Sequence, residues 1–262
     1  MIVWDVDPEI FRIGPIAIRY YSLGFVLAFI LGEKYVYSIT KVKYNWTEKQ
    51  MSSYLAYLIG GTFIGARLGH VLFYQPEYYL SNPLEIIQVW KGGLASHGGY
   101  VGVLIAVWLY IRKYKNITYL QSMDIVAAPC LFAGSLIRLG NLMNSEIVGH
   151  KTDVAWAFIF KRVDLIPRHP SQIYEFLGYF TISVILWQLY KRFGDTWKSG
   201  RILGFAMWLS FLFRMFVESF KENQVMFEND MTLNMGQLLS IPFIIVGLVM
   251  AFDIGGKLKS RS

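Results

Sequence analysis

The sequence predicts an all-α polytopic membrane protein with about seven transmembrane helices and a small extracytoplasmic segment. Of its 262 residues, 55% are hydrophobic and only 16% are charged, whereas soluble domains carry about 25% charged residues. Long apolar runs recur along the chain, and such runs are typical of helical rather than barrel membrane proteins. The net charge of +7 favours membrane lipids with anionic headgroups as partners, and we expect no nucleic acid.

Seven hydrophobic stretches form the predicted spans, within one membrane domain that covers residues 1–262. Thr47 and Gln50 have the spacing of a capping box before the second span. The third span is short, so it either extends backwards or packs closely on a neighbour through Gly98 and Gly99. The predicted spans are 16–37, 52–74, 97–112, 122–143, 171–190, 201–220 and 236–254.

Two segments outside the spans have features of their own. Pro8 and Pro15 interrupt the N-terminal segment, which we expect to lie along the membrane interface. The longest connection, residues 147–170, alternates apolar with other residues around Trp156 and Phe158. Because such alternation favours strands, the connection is predicted to form a small hairpin at the membrane surface.

The basic residues at the ends of the predicted spans and between them are distributed unequally. One side has fourteen of them: Lys34, Lys41, Lys43, Lys49, Arg112, Lys113, Lys115, Lys191, Arg192, Lys198, Arg201, Lys257, Lys259 and Arg261. The opposite side has seven: Arg12, Lys91, Lys151, Lys161, Arg162, Arg168 and Lys221. The positive-inside rule therefore places the C-terminal tail in the cytoplasm and the N-terminus outside.

Polar side chains inside the spans converge on the outer half of the bilayer in this topology. Insertion of an arginine at the centre of a transmembrane helix costs about 2.5–3.5 kcal/mol on insertion scales. Arg138, within a predicted span, is therefore a candidate functional residue. Asn141 shares its helical face, and Arg214 and Glu218 are spaced to pair. The polar residues that we place in this outer layer are Arg19, Tyr20, Tyr21, Arg67, His70, His97, Arg138, Asn141, Gln172, Tyr174, Glu175, Arg214 and Glu218. We predict a polar cavity that holds an anionic lipid headgroup.

Two other classes of protein share some of these features. An anion transporter or channel would also have intramembrane arginines, but it needs a polar path across the whole membrane, often with inverted repeats. The inner halves of the predicted spans are nearly free of ionisable residues, which favours a one-sided cavity. A seven-helix receptor of the retinal type would need a lysine in the last span, and residues 236–254 contain none.

Several motifs, in order along nearly the whole chain, resemble the prolipoprotein diacylglyceryl transferase family. The most specific are His97-Gly98-Gly99, the stretch from Arg138 through Asn141, Asn144 and Glu146 to Gly149, and the block Arg168-His169-Pro170-Ser171-Gln172-Ile173-Tyr174-Glu175. Arg67-Leu68-Gly69, Arg214 with Val217-Glu218, and Gly236-Gln237-Leu238-Leu239-Ser240-Ile241-Pro242 match further blocks. The chain departs from the family pattern at three positions: Ser145 stands where the family usually has glycine, Val148 where it often has tryptophan, and Ser210 where some members have tyrosine.

The resemblance implies an enzyme of the bacterial cytoplasmic (inner) membrane. It would transfer the diacylglyceryl group of phosphatidylglycerol to the lipobox cysteine thiol that follows the signal peptide of a preprolipoprotein. A thioether forms and glycerol phosphate leaves, which is the first step of lipoprotein maturation. We expect no cofactor and no metal, because the four histidines and the single cysteine show no metal-ligand spacing.

The resemblance also implies residue roles. His97 is the candidate base for the thiol, or else a headgroup ligand, and Arg138 and Arg214 would stabilise the departing phosphate. For Arg67 a structural role competes with substrate contact, and Gly149 fits close packing as well as binding. The residues assigned to phosphatidylglycerol are Arg138, Asn141, Tyr21, Arg67, Glu146, Glu218 and Gly149.

Overall fold

The computed structural model describes residues 1–14, 16–88, 92–222, 232–254 and 256, without the side chains of Ile16, Ser96 and His97. The helices are α1 (Tyr20–Tyr44), α2 (Glu48–Phe73), α3 (Pro76–Ser81), α4 (Ser96–Tyr114), α5 (Tyr119–Asn144), α6 (Ser171–Phe193), α7 (Arg201–Glu218) and α8 (Met235–Ala251). The strands are β1 (Ile2–Trp4), β2 (Glu9–Ile13), β3 (Ile16–Arg19), β4 (Phe158–Phe160) and β5 (Pro167–Arg168), and Pro83–Glu85 forms a short 3-10 helix.

Each of the seven predicted spans coincides with a helix, and the predicted helical membrane fold is confirmed. By length and composition, α1, α2 and α5 can cross a membrane, and α8 is a shorter apolar helix. The number of spans stays a prediction. The largest difference is at the first span, where β3 occupies the predicted start and the helix runs on to Tyr44, so that Lys41 and Lys43 lie on α1 rather than after it. The Thr47–Gln50 capping box is present.

The chain forms two compact units. The first comprises Met1–Val36 and Met123–Ser262, and the second comprises Tyr37–Ser122. In the second unit, the predicted close packing of the short third span is confirmed, without a backward extension. Gly65 on α2 faces Gly98 on α4 so closely that a Cβ on either glycine would overlap the carbonyl oxygen of the other. Gly61 and Gly102 continue this contact, which has the small-residue spacing of close membrane helix pairs.

A methyl group at this contact is expected to be destabilising. A Cβ at position 98 would lie 2.8 Å from the Cα of Gly69 and closer still to the Gly65 carbonyl. Overpacking of this kind costs about 1–3 kcal/mol, so Gly98→Ala should lower the thermal unfolding temperature of the detergent-solubilised protein. The matched control is Gly60→Ala on the same α2 helix, because a Cβ there meets no described atom within 4 Å. Equal unfolding temperatures for both variants and the parent would contradict the close contact.

The first unit carries the strands. Within the 147–170 connection, β4 pairs antiparallel with β5, which confirms the predicted hairpin. β1 adds to β4 in parallel, with Ile2 opposite Phe158, and β2 pairs with β3. The N-terminal segment therefore contains three strands, and its predicted position along the membrane interface stays a prediction. A small core joins these strands to the end of α5, where the Trp4 indole donates a 3.0 Å hydrogen bond to the Leu142 carbonyl.

In the same unit, α5 is connected to the start of α7 by a buried carboxylate that the sequence analysis did not single out. Asp124, on α5, is fully buried and accepts hydrogen bonds from the backbone N–H groups of Gly200 and Leu203, each at 2.8 Å. It thereby satisfies donors at the start of α7 that have no partner within the helix. Cys130, further along α5, is exposed on the helix surface.

Candidate active site

Arg138 lies near the end of α5 and holds the predicted contacts on its own helix. Its guanidinium donates to the Asn141 side-chain oxygen at 3.2 Å, and Asn141 in turn donates to a Glu146 carboxylate oxygen at 3.0 Å. Asn144 donates to the other Glu146 oxygen at 3.1 Å. Asn141 is only 5% exposed. Arg138 and Asn141 are therefore paired, as their shared helical face indicated, and the chain of hydrogen bonds continues to Glu146 just beyond the end of α5.

A buried carboxylate from α6 also meets Arg138. The Glu175 side chain is 1% exposed, and its Oε2 lies 3.3 Å from the Arg138 Nε. Its other oxygen, Oε1, lies 3.7 Å from the Lys221 ammonium group just beyond α7. A buried carboxylate is stable only when it is paired with positive charge or hydrogen-bonded, so Glu175 depends on these two cations.

The network continues onto α7. Lys221 donates to the Glu218 Oε2 at 3.1 Å, and the Arg214 Nε lies 3.9 Å from that same oxygen. Glu218 is packed against Gly236 at the start of α8, where an added Cβ would lie 2.7 Å from the carboxyl carbon. Arg138, Glu175, Lys221, Glu218 and Arg214 thus form one connected set of charges from α5, α6 and the end of α7, which we call the charge cluster.

Tyr21 reaches the same region from α1. Its ring lies directly over Gly140, between Arg138 and Asn141, where an added Cβ would overlap the ring carbons. Gly24 approaches α5 one turn later, with the Leu136 carbonyl oxygen 3.4 Å from an added Cβ. Because Gly140 has no side chain, the Tyr21 ring can pack against α5 at this point. The structure therefore places Tyr21 beside the helix that carries Arg138, as the resemblance implied.

Gly149 occupies a backbone junction. An added Cβ would lie 2.5 Å from the His169 carbonyl oxygen and 2.6 Å from the Phe220 carbonyl oxygen. The Gly149 N–H donates to His169, and Gly149 forms a bridge with Lys221. These contacts are those of close backbone packing, which was the alternative to substrate binding at this position.

Arg168 connects the β4–β5 hairpin to the same junction. It donates to the Gly149 carbonyl at 3.2 Å and to the Glu222 carboxylate at 2.5 Å. Its fork also bonds Asp164, and this hydrogen bond holds the pKa of that carboxyl below its usual range. Gly149 and Lys221 are therefore anchored to the hairpin as well as to the helices.

The second unit contains the two remaining candidates. Arg67 is 4% exposed and donates to the backbone carbonyls of Glu85 (2.6 Å), Ile86 (2.8 Å), Gly92 (2.5 Å) and Gly93 (3.1 Å). Such a set of carbonyl partners is typical of a structural arginine that holds a loop. His97 lies in the first turn of α4, and its side chain is outside the described part of the structure. Its role as base stays a prediction.

Two members of the charge cluster were missed as site residues by the sequence analysis. Glu175 was placed in the outer layer without a role, and Lys221 was counted only as an external loop lysine. Both are buried, at 1% and 4% exposed. A block of polar residues at the start of α6, Gln172 with Glu175, was the available signal, because buried charges are rarely present without function or pairing.

Chemically, the cluster is suited to a single anion. The sum of its three cations and two carboxylates is one net positive charge, with both carboxylates and Lys221 buried and the two arginines partly exposed. Arginine forks bind phosphate oxygens bidentately, and in a medium of low dielectric constant they stabilise developing negative charge strongly. Beside it, Glu146 and Asn144 line an open polar cavity of about 360 Å³ that also contains Arg12, Arg19 and Arg162.

Two comparisons with known proteins, one with family models and one with individual relatives, agree on one family. The family model of prolipoprotein diacylglyceryl transferase matches residues 8–252. Three similar relatives bear the name phosphatidylglycerol–prolipoprotein diacylglyceryl transferase. The one from Chloroherpeton thalassium is 46% identical over 254 residues, with 96% of this chain and 94% of the relative covered. Those from Bacteroides fragilis and Tolumonas auensis are 45% and 41% identical, with 97% and 100% of this chain and 95% and 100% of the relatives covered.

Proposed function

Since the chain belongs to the prolipoprotein diacylglyceryl transferase family, we propose that it transfers the diacylglyceryl group of phosphatidylglycerol to a prolipoprotein. The acceptor is the thiol of the lipobox cysteine that follows the signal peptide. The sulfur attacks the glycerol carbon that bears the phosphate, the carbon–oxygen bond breaks, and glycerol phosphate leaves with the bonding electrons. The product is a thioether, formed in the first step of lipoprotein maturation.

One observation carries this proposal beyond the family relationship. Arg138, in the middle of an otherwise apolar part of the chain, is held by Asn141 on one side and by the buried Glu175 on the other. This preorganised fork is suited to the charge that grows on the phosphate oxygen as the carbon–oxygen bond breaks. Arg214 supplies a second cation from α7. Tyr21, Glu146 and Glu218 border the same place, and they are the further candidates for headgroup contact.

The direct test is a reconstituted transfer reaction. The purified chain in lipid nanodiscs with phosphatidylglycerol should add a diacylglyceryl mass to a lipobox peptide and release one glycerol phosphate per modified peptide. A peptide with serine in place of the lipobox cysteine should stay unmodified, because the thiolate is the nucleophile. If the folded protein leaves the cysteine peptide unmodified but carries phosphate across the membrane of proteoliposomes, the anion transporter is favoured instead.

The base assignment leads to a pH-dependent prediction for His97→Asn. A free cysteine thiol has a pKa of roughly 8.5, so it needs a base at neutral pH and much less help above pH 8.5. We expect the defect of His97→Asn in single-turnover transfer to shrink as the pH rises from about 6.5 to 9. The defect of Arg138→Ala should not shrink. A defect of His97→Asn that is the same at every pH would leave the residue as a headgroup ligand.

The orientation in the membrane is part of the proposal. The last turns of α1, α4 and α6 carry basic residues, namely Lys41, Lys43, Arg112, Lys113, Lys191 and Arg192. This pattern supports a cytoplasmic position for those helix ends and an external one for the hairpin, in the bacterial inner membrane. The predicted cytoplasmic tail, Lys257–Arg261, lies outside the described residues.

Cysteine labelling tests this orientation. In a chain with Cys130→Ala, single cysteines at Lys151 in the hairpin connection and at Lys113 at the end of α4 should react with an impermeant maleimide from opposite sides. We expect Lys151→Cys to be labelled in intact cells with a permeable outer membrane, and Lys113→Cys only after lysis. Labelling of both from the outside would contradict the orientation.

A further inference from the structure

Lys221 is a buried lysine in a place where lysines are usually solvated. It lies just beyond the end of α7, after Ser219 and Phe220, and its side chain is 5% exposed. Its ammonium group lies 3.1 Å from the Glu218 Oε2 and 3.7 Å from the Glu175 Oε1. A bridge to Gly149 also fixes its backbone. Lys221 is therefore held in a defined position between two carboxylates of different helices.

Each of these carboxylates also faces an arginine, but in a different way. At Glu175, the two cations use different oxygens, Lys221 at Oε1 and Arg138 at Oε2. At Glu218, Lys221 and Arg214 approach the same oxygen. Lys221 has the hydrogen-bond distance of 3.1 Å, whereas Arg214 stays 3.9 Å away, beyond hydrogen-bond range. Lys221 thus donates to the Glu218 Oε2, the carboxylate oxygen that Arg214 would otherwise approach.

We propose that Lys221 is a positioning residue for phosphatidylglycerol, which keeps Arg214 available to the lipid phosphate by holding and neutralising Glu218. The inference rests on the proposed function. With Lys221 present, the charge cluster carries one net positive charge, and one phosphodiester of charge −1 brings it to neutrality. Without Lys221, two arginines and two carboxylates are already balanced, and the phosphate must compete with Glu218 for Arg214.

The removal of this lysine should therefore weaken lipid binding specifically. We expect Lys221→Met to raise the KM for phosphatidylglycerol at least tenfold, while the KM for the lipobox peptide stays within about twofold, because the peptide does not carry the phosphate. Lys221→Arg retains the charge and should stay within about threefold of the parent. The matched control is Lys161→Met, because Lys161 pairs with Asp5 at 3.0 Å in an exposed ion pair of the same unit.

A double variant separates positioning from direct contact. In a Glu218→Gln background, the carboxylate that draws Arg214 away is neutral, so Lys221→Met should no longer change the KM for phosphatidylglycerol by more than about threefold. If Lys221 instead bound the phosphate directly, the same substitution would raise that KM at least tenfold in both backgrounds. If Lys221→Met alone does not fold, the comparison of Glu218→Gln with the double variant decides.

The outcomes distinguish this inference from the function on which it rests. If the parent chain forms no thioether product, the proposed function fails. If the parent is active and folded Lys221→Met has an unchanged KM for phosphatidylglycerol, or if its loss is confined to the amount of folded protein, Lys221 is only structural and the positioning role is overturned. Thermal unfolding of each variant in the same nanodiscs supplies the measure of folding.

Discussion

Arg138→Lys is expected to lower the rate of diacylglyceryl transfer at least tenfold, which corresponds to about 1.4 kcal/mol of transition-state stabilisation. Lysine keeps the positive charge, but it has no planar fork with which to bind the phosphate while it contacts Asn141 and Glu175. Arg138→Ala should lose more, because it also leaves the buried Glu175 with one cation fewer. Single-turnover transfer to a lipobox peptide measures both effects.

A matched arginine provides the control for this experiment. Arg12 pairs with Glu9 at 2.8 Å in an exposed ion pair of β2, and its side chain is 59% exposed. Exposed ion pairs contribute little to stability, so Arg12→Lys should leave transfer within about twofold of the parent. Near-normal transfer by folded Arg138→Lys and Arg138→Ala would remove Arg138 from the mechanism.

Gly149→Ala is expected to be strongly destabilising. The new methyl group would lie within 2.6 Å of two carbonyl oxygens and of the His169 Cβ, and these atoms belong to the hairpin junction that anchors Lys221. Backbone carbonyls cannot rotate away as a side chain can, so the cost should reach or exceed the usual range of about 1–3 kcal/mol for overpacking. Thermal unfolding in nanodiscs should show a lowered transition.

The same variant decides between the two roles of Gly149. If Gly149 is needed only for close backbone packing, the folded fraction of Gly149→Ala should have a KM for phosphatidylglycerol close to that of the parent. The control is Gly134→Ala on α5, where an added Cβ meets no described atom within 4 Å. An unfolding transition equal to that of Gly134→Ala, together with a raised KM, would support direct substrate contact by Gly149 instead.

Local spacing was sufficient for the parts of the site that lie on one helix. Arg138 and Asn141 are three residues apart, Arg214 and Glu218 are four apart, and both pairs are close in the structure. Residues at these separations share a helical face whatever the rest of the fold does. The helices themselves could be predicted for a similar reason, because a hydrophobic run of sufficient length has no other stable form in a bilayer.

Contacts between distant parts of the chain could not be predicted in this way. Glu175 reaches Arg138 from another helix, Lys221 joins both, and β1 pairs with β4 across most of the sequence. Such pairs depend on the packing of helices and strands that have no fixed separation in sequence. The start of the first span was mistaken for helix because Ile16–Arg19 is apolar enough for either structure, and its pairing with β2 decides for strand.

Ser145 illustrates how a departure from the family pattern has a local physical meaning. It follows the last residue of α5 with a φ of 56°, in the left-handed region that glycine adopts without strain. Ile147 has a φ of 55°, which is uncommon for a β-branched residue. The turn between α5 and Gly149 therefore has two non-glycine residues in the left-handed region. Contacts with neighbouring residues hold this turn in place, among them a 2.7 Å hydrogen bond from the Gln172 amide to the Glu146 carbonyl.

The most direct test of the account is an experimental structure of the chain with phosphatidylglycerol and no peptide. The account predicts that the phosphate lies against the charge cluster, with Arg138 donating to a phosphate oxygen at about 2.7–2.9 Å, with Arg214 turned toward the same phosphate and Lys221 still on Glu218. A phosphate bound in the open polar cavity by Arg12, Arg19 and Arg162, with Arg138 still paired only with Asn141 and Glu175, would contradict this account.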